Sequence, residues 1–418
     1  MTKKVDVVVV GGGIVGVCCA LWLQRTGRMV ALVERDRPGA AASGHNGGVF
    51  NVGESVPIGT PGVLRSIPQM LVDAQSPLVV RYRDVPRLTP WLTRFVLASR
   101  ASRVEQISVA LKALTDRGME GYLPLVKGGE AEPQLREGGA LYTYRTERTF
   151  AADRYGIDLR RRRGDQFEIL DNAAIGALDG ALADRFERAL YRPTARFTPD
   201  PQAFTETLAE QFVRVGGELL RARADGFECD GRRVRGVATS GGHIQTDHVV
   251  LAAGVWSGPL ARQLGVKVPL CAERGYGIHL PDPAVTLRLP MVAVDFHLAF
   301  RQTPTGLQVL GVDELARVDA PPDYKLTQRL IRGAKTLFPE LSVRGATSWM
   351  HSRPSTPDSL PVIGIAPQYD NAYLAFGHGH KGLGLGGITG KLVQALVEGK
   401  ATGVDLEPYS PTRFRRRG

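Results

Sequence analysis

The sequence predicts an α/β fold: a Rossmann-like nucleotide-binding domain assembled from separated segments, plus a mixed α+β domain with an antiparallel sheet. Three observations predict it. First, residues 7–10 are four valines in a row, which read as a buried parallel strand. They run into Gly11-Gly12-Gly13-Ile14-Val15-Gly16, where Gly11, Gly13 and Gly16 satisfy G-x-G-x-x-G. The first glycine makes the tight turn, the second admits a pyrophosphate against the backbone, and the third lets helix and strand pack closely. Second, an apolar helix over Ile14–Gln24 ends near Gly27, and a strand over residues 29–33 carries Glu34 at its end. A carboxylate there accepts hydrogen bonds from an adenosine ribose and repels a 2′-phosphate, so FAD or NAD fits and NADP does not. The helix N-terminus supplies N–H groups and partial positive charge for the phosphates. Third, residues 247–254 read as another buried strand ending in a tight small-residue turn, far downstream of the first.

The remaining elements follow in order. Residues 38–53 are rich in Gly, Ala, Ser and Asn and form a loop. Residues 60–117 carry a helical pattern, with Trp91, Phe95 and Leu114 among arginines. Residues 141–163 are polar and basic with interspersed tyrosines, and helical patterning returns over 172–188. Asp200-Pro201 starts a helix whose amphipathic stretch, 203–215, is stopped by Gly216-Gly217. Short strands follow near 219–223 and 235–239. Residues 276–310 favour strands, with 298–301 and 307–310 flanking a Pro304-Thr305-Gly306 turn. A helix over 323–338, a strand over 373–376, a Gly/His-rich loop and a helix over 388–397 complete the chain. The expected division is 1–55, 196–273 and 349–418 for the nucleotide domain, with 56–195 and 274–348 forming the substrate-binding domain.

At 418 residues the chain exceeds one ordinary core, which implies two joined domains. No secretory leader is legible, and no run of 18 or more apolar residues suggests a membrane span. Four cysteines without a C-x-x-C pair fit a reducing cytoplasm; Cys18 and Cys19 read as packing residues on the first helix. No metal-ligand spacing is present, so no metal is expected. The net charge of +11 is concentrated at Arg160–Arg163 and in a terminal group, Arg413, Arg415, Arg416 and Arg417. No nucleic-acid-binding module accompanies these runs, so no nucleic-acid partner is expected. They are expected on a solvated face and in a frayed tail, with peripheral contact at an anionic inner membrane as the alternative.

Four segments in this order resemble the D-amino-acid oxidase superfamily of FAD enzymes. They are the N-terminal fingerprint with Glu34; the loop Ala41-Ala42-Ser43-Gly44-His45-Asn46-Gly47-Gly48; Val250-Leu251-Ala252-Ala253-Gly254-Val255-Trp256-Ser257; and Arg353-Pro354 with 356–364, followed by Gly377-His378-Gly379-His380-Lys381-Gly382. Within the superfamily the chain is most similar to the D-amino-acid dehydrogenase small subunit, through Asn46-Gly47-Gly48, Pro61-Gly62-Val63, Ser76-Pro77-Leu78, Trp91-Leu92, Arg274-Gly275-Tyr276 and Gly377-His378-Gly379. Arg274, Ala253-Gly254 and His380-Lys381 depart from that group's usual residues and leave the substrate open.

The resemblance implies FAD, bound by Gly11, Gly13, Ile14, Val15, Gly16, Glu34, Arg35, Ser43, Asn46, Gly47, Gly48, Ala253, Gly254, Trp256, Gly379, His380, Lys381, Gly382 and Leu383. It also implies oxidation at an amine-bearing carbon, with a D-amino acid favoured as substrate, giving an imine and then a keto acid. An amino-acid carboxylate is best held by a planar guanidinium. Arg353 is the first candidate, Arg301 a second clamp, Tyr276 a closing aromatic, and His45 a proton acceptor beside the flavin. Lys381 would place positive charge at the flavin's pyrimidine edge. The alternatives are a secondary amine (sarcosine, hydroxyproline or an opine), a flavin subunit acting only within a hetero-oligomer, and a modified tRNA base. The electron acceptor is open among a quinone, oxygen and a partner protein.

Overall fold

The computed structural model describes residues 3–50, 53–62 and 78–415. The helical reading of 63–77, the likeness at Val63, Ser76 and Pro77, and the terminal Arg416 and Arg417 lie outside the described residues. The strand Lys3–Val10 pairs in parallel with Val30–Glu34 on one side and Gly242–Leu251 on the other. Glu218–Arg221 extends the sheet beyond Val30–Glu34, and Ala372–Phe376 joins in parallel beside Gly242–Leu251. Alternation places Val7, Val9 and Leu32 in one core with the first helix, and Val8, Val10, Ala31 and Val33 in a second core across the sheet. Both faces are therefore covered, as a parallel sheet of consecutive valines requires.

The first helix, Ile14–Gln24, has no side-chain cap of its own: Ser43 Oγ accepts from the Ile14 N–H at 2.9 Å, so the following loop caps it. Cys18 and Cys19 are buried in this helix, as read from the sequence, and burial pushes both thiols up. The last helix runs over Gly382–Val397, starting six residues before the expected 388. Glycine propensity argues against helix there, but packing decides. A Cβ at Gly386 would sit 2.6 Å from the Tyr122 hydroxyl, one at Gly387 2.6 Å from Gly121 carbonyl carbon, and one at Gly390 2.6 Å from Cys18 O. The glycines let this helix lie directly on Ile14–Gln24 and on Gly118–Val126.

The second sheet is mixed and mostly antiparallel. Its order is Thr347–Ser355, Cys271–Leu280, Gly306–Ala316, Leu298–Thr303, Met291–Ala293, Ala140–Tyr144, Arg188–Arg192 and Glu168–Asp171, with Leu78–Val80 beside Gly306–Ala316. Thr327–Leu337 packs its Leu330, Ala334 and Leu337 on one face, against Ile278, Phe300 and Val309. The strands Cys271–Leu280 and Thr347–Ser355 run across the expected domain limits at 273 and 349. Ala101–Thr115 and Gly118–Val126, read as part of the substrate unit, pack against Gly382–Val397 and the first helix.

Other expectations are corrected. Helix in the 172–188 stretch covers only Asn172–Leu178, because Asp179 ends it, accepting from Ala181 N at 3.2 Å and Arg288 N at 2.7 Å. The run Arg160–Arg163 does not lie on one solvated face. Arg160 is buried, and Arg163 bonds Glu105 and Ser108. Arg413 is no frayed residue: it donates to both Asp358 carboxylate oxygens and to the carbonyls of Tyr409, Ser410 and Leu360. No helix among the described residues is long and apolar enough to cross a membrane.

Candidate active site

A cavity of about 750 Å³ runs from the glycine-rich turn to the face of the second sheet. At one end Gly11 takes φ +108°, and a Cβ there would lie 2.5 Å from Ala252 O. Gly16 stands behind the wall, where a Cβ would strike Gly11 O at 1.8 Å. Glu34 accepts from the Gly12 N–H at 2.6 Å and from the Asp36 N–H at 2.9 Å, which fixes its carboxylate beside the turn. Arg35 lies over the Trp256 ring at 3.8 Å, joining the two nucleotide turns across the cavity. Gly13, Ile14, Val15, Ser43, Asn46, Gly47, Ala253 and Gly254 line the same wall.

Asn46 braces the 41–48 loop: its amide donates to Ser43 O at 2.6 Å and to Ala42 O at 3.3 Å, and its oxygen accepts from Gly48 N at 2.8 Å. Gly48, at φ +70°, stands behind the wall against Thr198 O and the Arg301 side chain. At the far end Gly379, His380, Lys381, Gly382 and Leu383 line the cavity. Lys381 is half-buried; desolvation lowers its pKa, Glu54 opposes this, and Arg192 and Arg160 lower it further.

The four catalytic candidates separate. Arg353 lines the cavity. Its Nη1 donates to Asp313, and Glu273 lies close by. Burial alone would weaken its charge, but the two carboxylates more than offset this and hold its pKa above the usual value. Room for the guanidinium comes from Gly275, where a Cβ would lie 2.5 Å from it. Glu273 in turn accepts from His380 Nε2 and from Ser355 Oγ, each at 2.5 Å. Burial raises the Glu273 pKa, but His380, Arg353 and Ser355 outweigh it and bring it to about 2.

Arg301 does not reach the cavity. Its Nε donates to Asn46 O at 3.1 Å, Nη1 to Pro199 O, and Nη2 to Gln308 Oε1 at 2.9 Å. Burial lowers its pKa to about 10, which nearby Asp200 opposes only in part. It is a staple between the 41–48 loop and the second sheet, not a clamp. Tyr276 is fully buried, donating to Glu314 Oε2 at 2.8 Å and accepting from Asp323 N at 2.9 Å, so it has no freedom to close over a ligand. His45 also lies off the cavity wall. Its ring stacks on His351 at 3.8 Å, and Nδ1 lies 3.1 Å from Ala41 O. Burial lowers its pKa.

Sequence reading missed Glu54, Tyr142 and Arg160, which share the far end of the cavity with Lys381. Arg160 was legible in principle: on Arg154–Arg163 it follows Gly156 by four residues and Ile157 by three, on the buried stripe. Glu54 carried no local signal.

A family model described as FAD dependent oxidoreductase matches residues 6–396, and the chain belongs to that family. Among relatives, it is 31% identical to a D-amino-acid oxidase of Bradyrhizobium diazoefficiens, over 99% of this chain and 100% of that one. It is also 31% identical to a D-amino acid dehydrogenase of Paramagnetospirillum magneticum, over 98% of each chain. Among solved structures, glycine oxidase from Geobacillus kaustophilus matches with a TM-score of 0.71 at 22% identity, covering 99% of each chain. Iminodiacetate oxidase from a Chelativorans species matches with a TM-score of 0.71 at 20% identity, covering 97% of this chain and 99% of that one. The chain is thus an FAD-dependent oxidoreductase. Its own residues fit the cofactor: the Gly11 turn has no room for a Cβ, Glu34 is fixed at the ribose position of the motif, and the cavity continues to the second sheet.

Proposed function

We infer that the protein oxidises an amino acid, D-amino acids first, with Arg353 holding the substrate carboxylate. The observation that carries this reading is a half-buried, charged guanidinium on the cavity wall, in a chain whose full-length relatives are a D-amino-acid oxidase and dehydrogenases. A bound flavin would supply the oxidising equivalent, a two-electron acceptor for the hydride of the amine-bearing carbon, and the resulting imine would hydrolyse to a keto acid and ammonia. The chain's part is positioning. Asp313 and Glu273 flank and fix the Arg353 fork, and His380 and Ser355 fix Glu273. Gly11, Gly13, Ile14, Ser43, Glu34 and Trp256 would hold the dinucleotide, and Gly379–Leu383 the pyrimidine edge, with Lys381 adding positive charge.

A secondary amine is the second reading, favoured by the likeness to iminodiacetate oxidase. The acceptor is a quinone, oxygen or a partner protein; a quinone would bring this otherwise cytoplasmic chain to the inner-membrane surface. The test is anaerobic bleaching of the protein-bound flavin by D-amino acids, L-amino acids and N-methylated amines. Reduction by D-amino acids supports the reading. Reduction by N-methylated amines alone replaces it, and a flavin that no amine reduces removes it.

A further inference from the structure

We propose that His380 is the base that takes the proton from the substrate ammonium, its Nδ1 receiving it while Glu273 holds the other ring nitrogen. This deepens the proposed amino-acid oxidation and rests on it. His380 lines the cavity, and its side chain keeps 36% of its surface open. Its Nε2 lies 2.5 Å from Glu273 Oε1. Glu273 is buried and, with its pKa brought to about 2, is a carboxylate that only accepts, so Nε2 carries the hydrogen. In the neutral ring the lone pair then sits on Nδ1, which makes no hydrogen bond among the described residues. Glu273 is itself held by Ser355 Oγ at 2.5 Å, so it fixes the imidazole tautomer as the carboxylate of a catalytic triad does.

The placement matches the arginine. Glu273 and Arg353 are cross-strand partners on Cys271–Leu280 and Thr347–Ser355, and Asp313, which binds the guanidinium, comes from Gly306–Ala316 on the other side. One oxygen of Glu273, one of Asp313 and a ring nitrogen of His380 lie within 4.8 Å of one another. The imidazole and the guanidinium thus share the same two carboxylates. In an α-amino acid the ammonium sits on the carbon next to the carboxylate, so the group that receives its proton must stand beside the group that holds the carboxylate. His378 also lines the cavity, but it is buried and its Nε2 is spent on Thr389.

The step is a proton transfer. A zwitterionic substrate has no nitrogen lone pair to drive its α-hydrogen out as hydride. The ammonium N–H bond breaks, an Nδ1–H bond forms, and the free amine keeps the electron pair that becomes the second bond of the imine. The imidazolium left behind is met by the negative charge of Glu273 and Asp313. The other charged groups at this end are Arg353, beside Glu273, and Lys381, which faces Glu54 and whose lowered pKa makes it the rival titrating group.

The test follows anaerobic flavin reduction in the holoenzyme by D-alanine and D-methionine across the pH range. The wild type needs no variant: its rate should rise through one limb between about pH 6 and 8, where an imidazole loses its proton, and level above it. A rise that continues unbroken to about pH 10 means that the amine sheds its proton before binding, and overturns the proposal. His380→Asn should be slowed about 100-fold at neutral pH and about threefold or less near pH 10, where the substrate arrives as the free amine. A deficit equal at every pH, or a limb retained in the variant and so owed to Lys381, also overturns it. Binding gives a readout without turnover. The flavin spectrum should show 2-aminoisobutyrate, an amino acid with no α-hydrogen, binding about tenfold tighter at about pH 8 than at about pH 5.5 in the wild type, and equally at both in His380→Asn. No pH dependence in the wild type, or the same dependence in the variant, removes His380 from the role. If no amine reduces the flavin at any pH, amino-acid oxidation itself fails, and the 2-aminoisobutyrate titration then decides on its own whether His380 receives an ammonium.

Discussion

Arg301 and Arg353 stand on the same sheet, three strands apart, and both side chains are enclosed, yet they are put to opposite uses. Arg301 donates to neutral acceptors, two backbone carbonyls and a glutamine, with Asp200 as its one nearby carboxylate among the causes of its shift, and these bonds hold a loop. Arg353 is surrounded by carboxylates and stays on the cavity wall with its charge reinforced. A buried arginine thus declares its role through its partners: carbonyls mark a brace, and a carboxylate network beside a cavity marks a charge kept for a ligand.

The largest effect expected from this contrast is on catalysis. Arg353→Ala should lower kcat/KM for the best amino acid by about 100-fold while flavin content and melting temperature hold. A variant that loses flavin as well would place Arg353 with the braces. Arg301→Met should do the reverse, costing about 2–4 kcal/mol in urea unfolding, since it leaves the Asn46 and Pro199 carbonyls short of donors. Flavin retention should fall with it, and KM for the enzyme that stays loaded should change little. A rise in KM with unaltered stability would restore Arg301 as a clamp.

The carboxylate side of the contrast appears at acid pH. The Glu273 pKa is depressed to about 2, so its contribution to stability is complete above its ordinary value of 4.5 and is lost as pH falls from there towards 2. Glu273→Gln should flatten the acid limb of a stability profile over that interval; an unchanged limb would detach Glu273 from the Arg353 network. A second pH effect, of opposite origin, belongs to His378, which is buried against Thr389 and lowered by burial to about 3. The unfolded chain takes up that proton first, so stability should decline as pH falls from about 6.5 towards 3, with a slope of at most about 1.4 kcal/mol per pH unit. Unfolding midpoints between pH 7 and 5 should show this, and His378→Asn should lessen it.

The nucleotide end was legible because each of its requirements is local. Consecutive valines, three spaced glycines and a terminal Glu34 each state a backbone need that no distant residue can alter. The second sheet could not be read in the same way. Its order brings Ala140–Tyr144 beside Met291–Ala293, a pairing that no local pattern encodes. Arg301 and Tyr276 were misassigned because residue type announced a clamp, while the partners that occupy them, Pro199, Gln308 and Glu314, come from elsewhere in the chain. Arg160 was hidden by its neighbours: in a run of four arginines the helical period, not the composition, decides which one turns inward.

The contact between the first and last helices has a consequence for synthesis. Ile14–Gln24 leaves the ribosome well before Gly382–Val397, which covers it, and Gly242–Leu251 well before Ala372–Phe376, which flanks it. Until Gly382–Val397 emerges, one face of that apolar helix stays uncovered. Nascent chains released before residue 397 should therefore be held by chaperones or aggregate, whereas chains that extend past it close this core.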